Sequence, residues 1–403
     1  EKSPPTVMAR EYSKIIRQAW QRRELIQLGE TMAQSARNAA DPDGLIETSE
    51  RELLQIQTSA ASISLVSGAE VMDRVEHELE NPRAAYGVRS GLSPIDDVSG
   101  GFMPGELWLL AGRPGSGKSA IASSAALNIA TNGRGASDEP LGVIEICSEM
   151  TVEQMGRRHV ADLCYEIHGP AAPSYSAMRK RQVSDAQRKM IREAAAKIRA
   201  LGTMRSLYRT GLTVAALRSI IRRQKSAWAR QGTQIGLVTV DHVGLLRASA
   251  NTRGRTEAQG EVAREMKELA GELNIPLLAL VQLNRQVEGR DDKRPMLSDL
   301  RDSGEWEENA DGVIGVYRDA YYAQREPEPK RHDLKLLWDE RRTSPFVDAI
   351  FMKIREGEMQ TVKLWADMGR NAIRGGAPDS YFEYRSRDLL DPDVPLFGPT
   401  GFE

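Results

Sequence analysis

The stretch "LWLLAGRPGSGKSA" holds residues whose types and spacing can do phosphate chemistry. Gly112, Arg113, Pro114, Gly115, Ser116, Gly117, Lys118 and Ser119 satisfy G-x-x-x-x-G-K-[S/T] without a gap, and Ala120 opens a run of small helix-forming residues. Glycines at these positions let backbone N–H groups turn inward around phosphate oxygens. Lys118 would neutralise the β- and γ-phosphates, Ser119 would ligate Mg²⁺, and the helix that follows points its positive end at the anion. Average residue usage yields such a match by chance in roughly one chain in a hundred of this length. The loop therefore reads as a nucleoside triphosphate site.

Four further groups have the chemistry to complete it. Asp241 ends the apolar run of "GLVTVDHVGLL", where a carboxylate can reach the same Mg²⁺ through water. Glu149 follows the run "VIEICSEM" and can deprotonate an attacking water; a second reading makes Ser148 and Glu149 a helix start that complements the dipole. Gln282, after "LALV", is a neutral side chain able to sense the γ-phosphate, or simply a satisfied strand-end amide. Lys353 and Arg355, two apart in "VDAIFMKIREG", share one face of a strand on an edge hairpin, with no obvious partner within the chain. They read either as a pair reaching into a neighbour's nucleotide or, the reading favoured by pattern alone, as a charged guard on an exposed edge. The polar run "DDKRPMLSDLRDSGEWEENADG" offers Lys293, Arg294 and Arg301 to phosphates and Ser303-Gly304 as N–H donors, although such runs are commonly solvated loops.

These groups need a scaffold, and the pattern of apolar runs supplies one. Short strands at 141–146, 235–240, 276–281 and 312–317 alternate with helices centred on 118–131, 152–167, 184–200, 213–230 and 257–273. That alternation predicts an α/β fold with a mainly parallel central sheet flanked by helices. Strands at 347–353 and 361–366, joined around Glu356-Gly357, read as an antiparallel hairpin. Residues 325–345 form a charged insertion, and the stretch after Gly375 is rich in Pro, Gly and Asp. Upstream, Ile16, Ala19, Trp20 and Leu28 mark a long amphipathic helix. A second helix follows the Asp-Pro-Asp-Gly break at 41–44, and Val71, Met72, Val75 and Leu79 mark a third. Too apolar-poor to form a core alone, this region is either packed against something else or a solvated linker. The expected division is a helical linker region at 1–84, a motor domain at 85–376 and a tail at 377–403.

Bulk composition narrows the class. The 403 residues carry 55 Lys and Arg against 57 Asp and Glu, so no global charge draws the chain to nucleic acid. No apolar stretch approaches the ~18 residues of a membrane span. Two cysteines, Cys147 and Cys164, are too few for a disulfide framework or a four-ligand zinc site, which fits a cytoplasmic protein.

Together these stretches resemble the RecA-like motor domain of DnaB-type replicative helicases over most of residues 9 to 373. The resemblance is carried by "REYSKIIRQAWQRREL", "SGGFMPGELWLLAGRPGSGKSA", "SEM", "VDHVGLL", "ALVQLNRQVE", "DKRPMLSDLRDSGEWEENAD" with "VYRD", and "KIREG" before "TVKL". The run from Gln282 to Asp319 is the most specific of them. The resemblance implies an ATP- and Mg²⁺-dependent DNA helicase that threads single-stranded DNA through a homohexamer and travels 5′→3′. It implies Glu149 as catalytic base, Gln282 as phosphate sensor, and Lys353 with Arg355 as the pair acting on the next subunit. Arg301, Asp302, Ser303 and Gly304 would grip the DNA backbone, and the helix over about 6–37 would dock on the adjacent subunit. Primase and a helicase loader are the implied protein partners; the family's primase-contacting domain would lie before residue 9 and is expected to be absent here. His242, Cys147 and Glu356 depart from the family's usual tyrosine, leucine and asparagine, and Glu356 is placed to pair with Arg355. A RecA- or KaiC-like ATPase on the same core, and a non-motor nucleotide switch, are the rival readings.

Overall fold

The computed structural model describes residues 6–38, scattered positions between 42 and 56, and residues 66–80, 87–248, 254–300, 304–355 and 357–378. The chain divides into two compact units, residues 1–81 and 82–403. The first holds α1 (Thr6–Asn38) and α2 (Gly68–Glu80). Leu28 is buried on α1, whereas Ile15, Ile16, Leu25 and Ile26 are exposed. Ser67 and Glu70 exchange hydrogen bonds that cap α2 reciprocally.

The second unit begins with α3 (Ser93–Ser99) and then alternates: β1 (Leu107–Gly112), α4 (Lys118–Asn132), β2 (Leu141–Cys147), α5 (Val152–His168), α6 (Tyr175–Lys180), α7 (Asp185–Leu201), β3 (Met204–Tyr208), α8 (Val214–Ala229), β4 (Gln234–Asp241), α9 (Arg255–Leu273) and β5 (Leu277–Gln282). It continues with α10 (Gly304–Asn309), β6 (Gly312–Tyr317), α11 (Asp319–Ala323), α12 (His332–Thr343), β7 (Phe346–Ile354), β8 (Thr361–Asp367) and β9 (Ala372–Arg374). Among the described residues the strands form one sheet in the order β3-β2-β4-β5-β1-β6-β7-β8-β9. The first six strands in that order pair in parallel, and β7, β8 and β9 add antiparallel pairings.

The central strands β1, β2 and β6 are buried at every position, as strands covered on both faces must be. One face carries Leu109, Val238 and Ala279 against α8 and α9, including Leu217 and Met266. The other carries Trp108, Leu110 and Leu278 against α4, including Ile121 and Ile129. Such a sheet opens a crevice at the carboxyl ends of its parallel strands. Gly112, Cys147, Asp241, Gln282 and Tyr317 all end their strands there.

One sequence expectation changes, and two elements are added to it. The hairpin is not at an edge: β7 lies between β6 and β8, and β9 closes that side. The charged insertion contains the helix α12. Strand β3, which the alternation of apolar runs did not reveal, forms the opposite edge.

Candidate active site

The loop between β1 and α4 is shaped by its glycines. Gly115 and Gly117 take left-handed φ values of 80° and 114°, which a side chain would resist. A Cβ on Gly112 would come within 2.5 Å of Ser116 Oγ. The buried hydroxyl of Ser116 has no hydrogen-bond partner among the described residues, and so is a polar atom inside the cradle still able to bind a phosphate oxygen. Arg113 is buried and does not enter the crevice: its guanidinium donates to the Leu283 carbonyl and pairs with Glu288, each at 2.8 Å. Pro114 lies in the loop's turn, and Ala120 is buried in the first turn of α4.

Lys118 folds back on the loop, donating to the carbonyls of Gly112 at 2.6 Å and Arg113 at 3.1 Å. Burial lowers its pKa to about 8, with the negative charges of Asp241 and Glu149 opposing the fall. Ser119 Oγ donates to Asp241 Oδ2 at 2.7 Å. Asp241 stands there because β4 and β2 are in register, with Cys147 opposite Asp241, and the Ser148 N–H donates to the Asp241 carbonyl at 2.7 Å.

Glu149 follows two residues later, with a side chain 55% exposed at the mouth of the crevice and 3.6 Å from the His242 ring. It does not start α5: Thr151 caps that helix in a reciprocal box with Gln154, and Ser148 Oγ donates to the Arg209 carbonyl. Gln282 is paired beside Gly112 in the β1–β5 register, so the strand-end amide flanks the first residue of the loop. One step on, Leu283 bridges to Leu300, immediately before Arg301. Residues 301–303 lie outside the described residues, as does Glu356; Gly304 starts α10.

Lys353 and Arg355 are not brought to this site. Ile354 pairs with Gly312 and Gly312 with Trp108, which sets the end of β7 at the amino end of β1. At ~3.3 Å per residue that is at least about 13 Å below Gly112, farther than an arginine side chain spans. Neither cation lacks a partner in its own chain. Lys353 Nζ donates to the Glu307 carbonyl at 2.6 Å, and Arg355 pairs with Asp311 at 2.8 Å. Arg355 lies just beyond the strand and its side chain is 60% exposed. Lys293 and Arg294 lie over the rings of Tyr322 and Tyr317, and the Arg294 side chain stays 54% exposed.

Sequence reasoning missed Glu288, Asp311 and Tyr321. The first two are acidic residues in polar runs whose partners stand far away in the chain. Tyr321 reveals itself only by its ring lying 3.0 Å from where a Gly115 Cβ would be.

A glycine-shaped loop with its lysine and serine, and an aspartate at the end of the strand two positions from β1, define a P-loop NTPase on a mainly parallel sheet. The DnaB-like helicase C-terminal domain matches residues 87–371. The replicative DNA helicase DnaB of Rickettsia prowazekii is 32% identical over 378 residues, covering 89% of this chain and 74% of its own length. That of Haemophilus influenzae is 31% identical, covering 79% and 67%. Among solved structures, one ATPase domain aligns with a TM-score of 0.65 at 27% identity, covering 78% of this chain and all of the other. A DnaB-like replicative helicase, described with its interactions with primase, aligns at 0.68 and 25%, covering 91% and 78%. The chain belongs to the DnaB-like helicases, and its activity is that class's nucleotide-hydrolysing replicative DNA unwinding.

Among the described residues no helix is long and apolar enough to cross a membrane, and no cluster of three or more His, Cys, Asp or Glu could hold a metal by itself. A divalent ion at this site would instead share its coordination with phosphate oxygens. Ser119 and Asp241 fit that role, being hard oxygen ligands side by side.

Proposed function

We propose that this chain is the motor subunit of a homohexameric ring that uses ATP and Mg²⁺ to travel 5′→3′ on single-stranded DNA in the cytoplasm. Residues 1–84 act as the linker region that docks on a neighbouring subunit, 85–376 as the motor and 377–403 as a tail. Primase and a loader are its protein partners, in keeping with the relative described with primase. The observation that carries the reading is the 2.7 Å contact between Ser119 and Asp241 beneath the phosphate loop, which brings together two hard oxygens suited to hold Mg²⁺.

Hydrolysis then follows from the residues. Loop N–H groups and Lys118 hold the β- and γ-phosphates, while Ser119 and Asp241 hold Mg²⁺, which supplies charge neutralisation when bound. Glu149 accepts a proton from a water as its oxygen bonds to the γ-phosphorus and the bond to ADP breaks. Gln282 senses the loss of the γ-phosphate beside Gly112, and the bridge from Leu283 to Leu300 leads to the DNA-gripping stretch Arg301, Asp302, Ser303 and Gly304. Lys353 and Arg355 serve the nucleotide of the next subunit; their distance from their own loop supports this.

ATP-driven displacement of a strand from forked DNA, run with each strand polarity, tests the proposal. Hydrolysis stimulated by DNA without displacement would favour a RecA- or KaiC-like ATPase, and tight nucleotide binding without turnover would favour a switch. In the same assay series Arg301→Ala should weaken single-strand binding regardless of sequence and reduce its salt slope by about 1.

A further inference from the structure

Asp311 joins α10 to β6 at the amino end of the sheet, remote from the phosphate loop. Its buried carboxylate takes three donors. The Leu107 N–H at 2.9 Å and Lys267 Nζ at 2.6 Å both reach Oδ2, and Arg355 Nη1 reaches Oδ1 at 2.8 Å. Lys267 is fixed in turn by the Gly105 carbonyl at 2.9 Å. The backbone is tied as well, with the Arg355 N–H donating to the Asp311 carbonyl at 2.9 Å. One carboxylate oxygen thus belongs to rigid partners, and the other aims an exposed guanidinium outward.

We infer that Asp311 is the positioning residue for the trans-acting cations: anchored through Lys267 and Leu107, it holds Arg355 aimed out of its own subunit before a neighbour's nucleotide arrives. The inference rests on the reading of Arg355 as acting in trans. A long exposed side chain otherwise samples many rotamers, and a group fixed in advance loses none of that freedom in the transition state. Lys353 is secured on the same side, by a carbonyl at the end of α10. Both cations are therefore held by the stretch from Glu307 to Asp311 that precedes β6, close to the segment proposed to grip DNA.

The test is Asp311→Asn. The neutral amide keeps the shape and loses the charge, so kcat should fall roughly 10- to 100-fold while KM for ATP stays within about twofold. The defect should belong to the neighbour's site. Mixed with Glu149→Gln the variant should regain activity, because the Glu149→Gln subunit supplies an intact Arg355; mixed with Arg355→Ala it should regain none. A half-buried Lys267 left without its carboxylate can destabilise this end of the sheet, so Asp311→Asn with Lys267→Met is measured in parallel. Wild-type kcat in a folded variant, or no rescue by Glu149→Gln, overturns the inference, and so does failure of both variants to fold, which would make Asp311 a residue of the fold alone. The control mixture of Arg355→Ala with Glu149→Gln separates the two claims. Rescue in the control but not with Asp311→Asn sinks only the positioning role; no rescue in the control sinks the trans reading itself.

Discussion

Ser119 and Asp241, 122 residues apart in the chain, are joined by a hydrogen bond of 2.7 Å in which the hydroxyl donates and the carboxylate accepts. The hydroxyl's lone pairs remain turned away from its proton, so the same bond that fixes Ser119 leaves its oxygen available to a cation. A serine at the first turn of α4 and an aspartate at the end of β4 are thereby set as one unit.

Ser119→Ala should therefore separate Mg²⁺-dependent from Mg²⁺-independent binding. With chelator present, variant and wild type should bind ATP alike. With Mg²⁺ the wild type should gain roughly tenfold or more over the variant, the scale of an interaction with a charged partner. Fluorescent-nucleotide titrations check this; an equal loss under both conditions would assign Ser119 to packing.

Lys118 gives the site a pH dependence whose sign can be worked out. Its pKa in the free protein is lowered to about 8 by burial, and phosphate oxygens beside it would raise that value again. Between these two values, binding must take up a proton. Affinity for ATP should hold near pH 7 and fall about tenfold per unit as pH climbs above 8, a slope of one proton. The same depression means that the unfolded chain binds more protons between about 8 and the ordinary lysine value, so this group's contribution to stability without nucleotide rises with pH across that window. Calorimetry in buffers of different ionisation enthalpy reads the proton directly. A flat affinity from pH 7 to about 9.5 would place Lys118 in a wetter setting than the structure gives it.

Legibility followed distance along the chain. The loop at 112–119 and the strand before it could be read because their geometry is local: glycines where φ turns positive, an apolar run where both faces are covered. Asp241 was legible as the polar end of such a run. Strand β3 was not, because an edge strand of half-covered and exposed positions, Met-Arg-Ser-Leu-Tyr, has no apolar run to betray it. Helix α12 escaped for a similar reason, since Leu334, Leu336 and Leu337 are all exposed and no buried stripe marks its face. The partners of Arg113 and Arg355, Glu288 and Asp311, sit 175 and 44 residues away and belong to the tertiary fold alone.

A stability prediction comes from the same part of the sheet. Gly312 pairs with Trp108, and a Cβ on it would run into the six-membered ring of that tryptophan. Trp108 is held edge-on by Phe102 and Phe351, with ring centroids 5.6 Å and 6.3 Å away, so it has no open side to move to. Gly312→Ala should cost about 1–3 kcal/mol. A denaturant midpoint unchanged from wild type would mean that the ring shifts freely.

The proposed trans role of Arg355 has the most demanding test. Its guanidinium is exposed, paired with Asp311, and too far from its own loop to reach phosphates held there. Fingers of this kind are worth ~10³–10⁵ in rate, so Arg355→Ala should bind ATP normally and hydrolyse it very slowly. Glu149→Gln should also bind and not turn over, since only the water's activation is removed. Each variant alone lacks one part at every interface. In a mixed ring, an Arg355→Ala subunit keeps its own Glu149 and can receive Arg355 from a Glu149→Gln neighbour, which restores one working interface. ATPase activity of the mixture, measured after subunit exchange is confirmed, should exceed the sum of the separate variants. If it does not, Lys353 and Arg355 act within their own chain, the first as a donor to the carbonyl of Glu307 and the second as counter-charge to the carboxylate of Asp311.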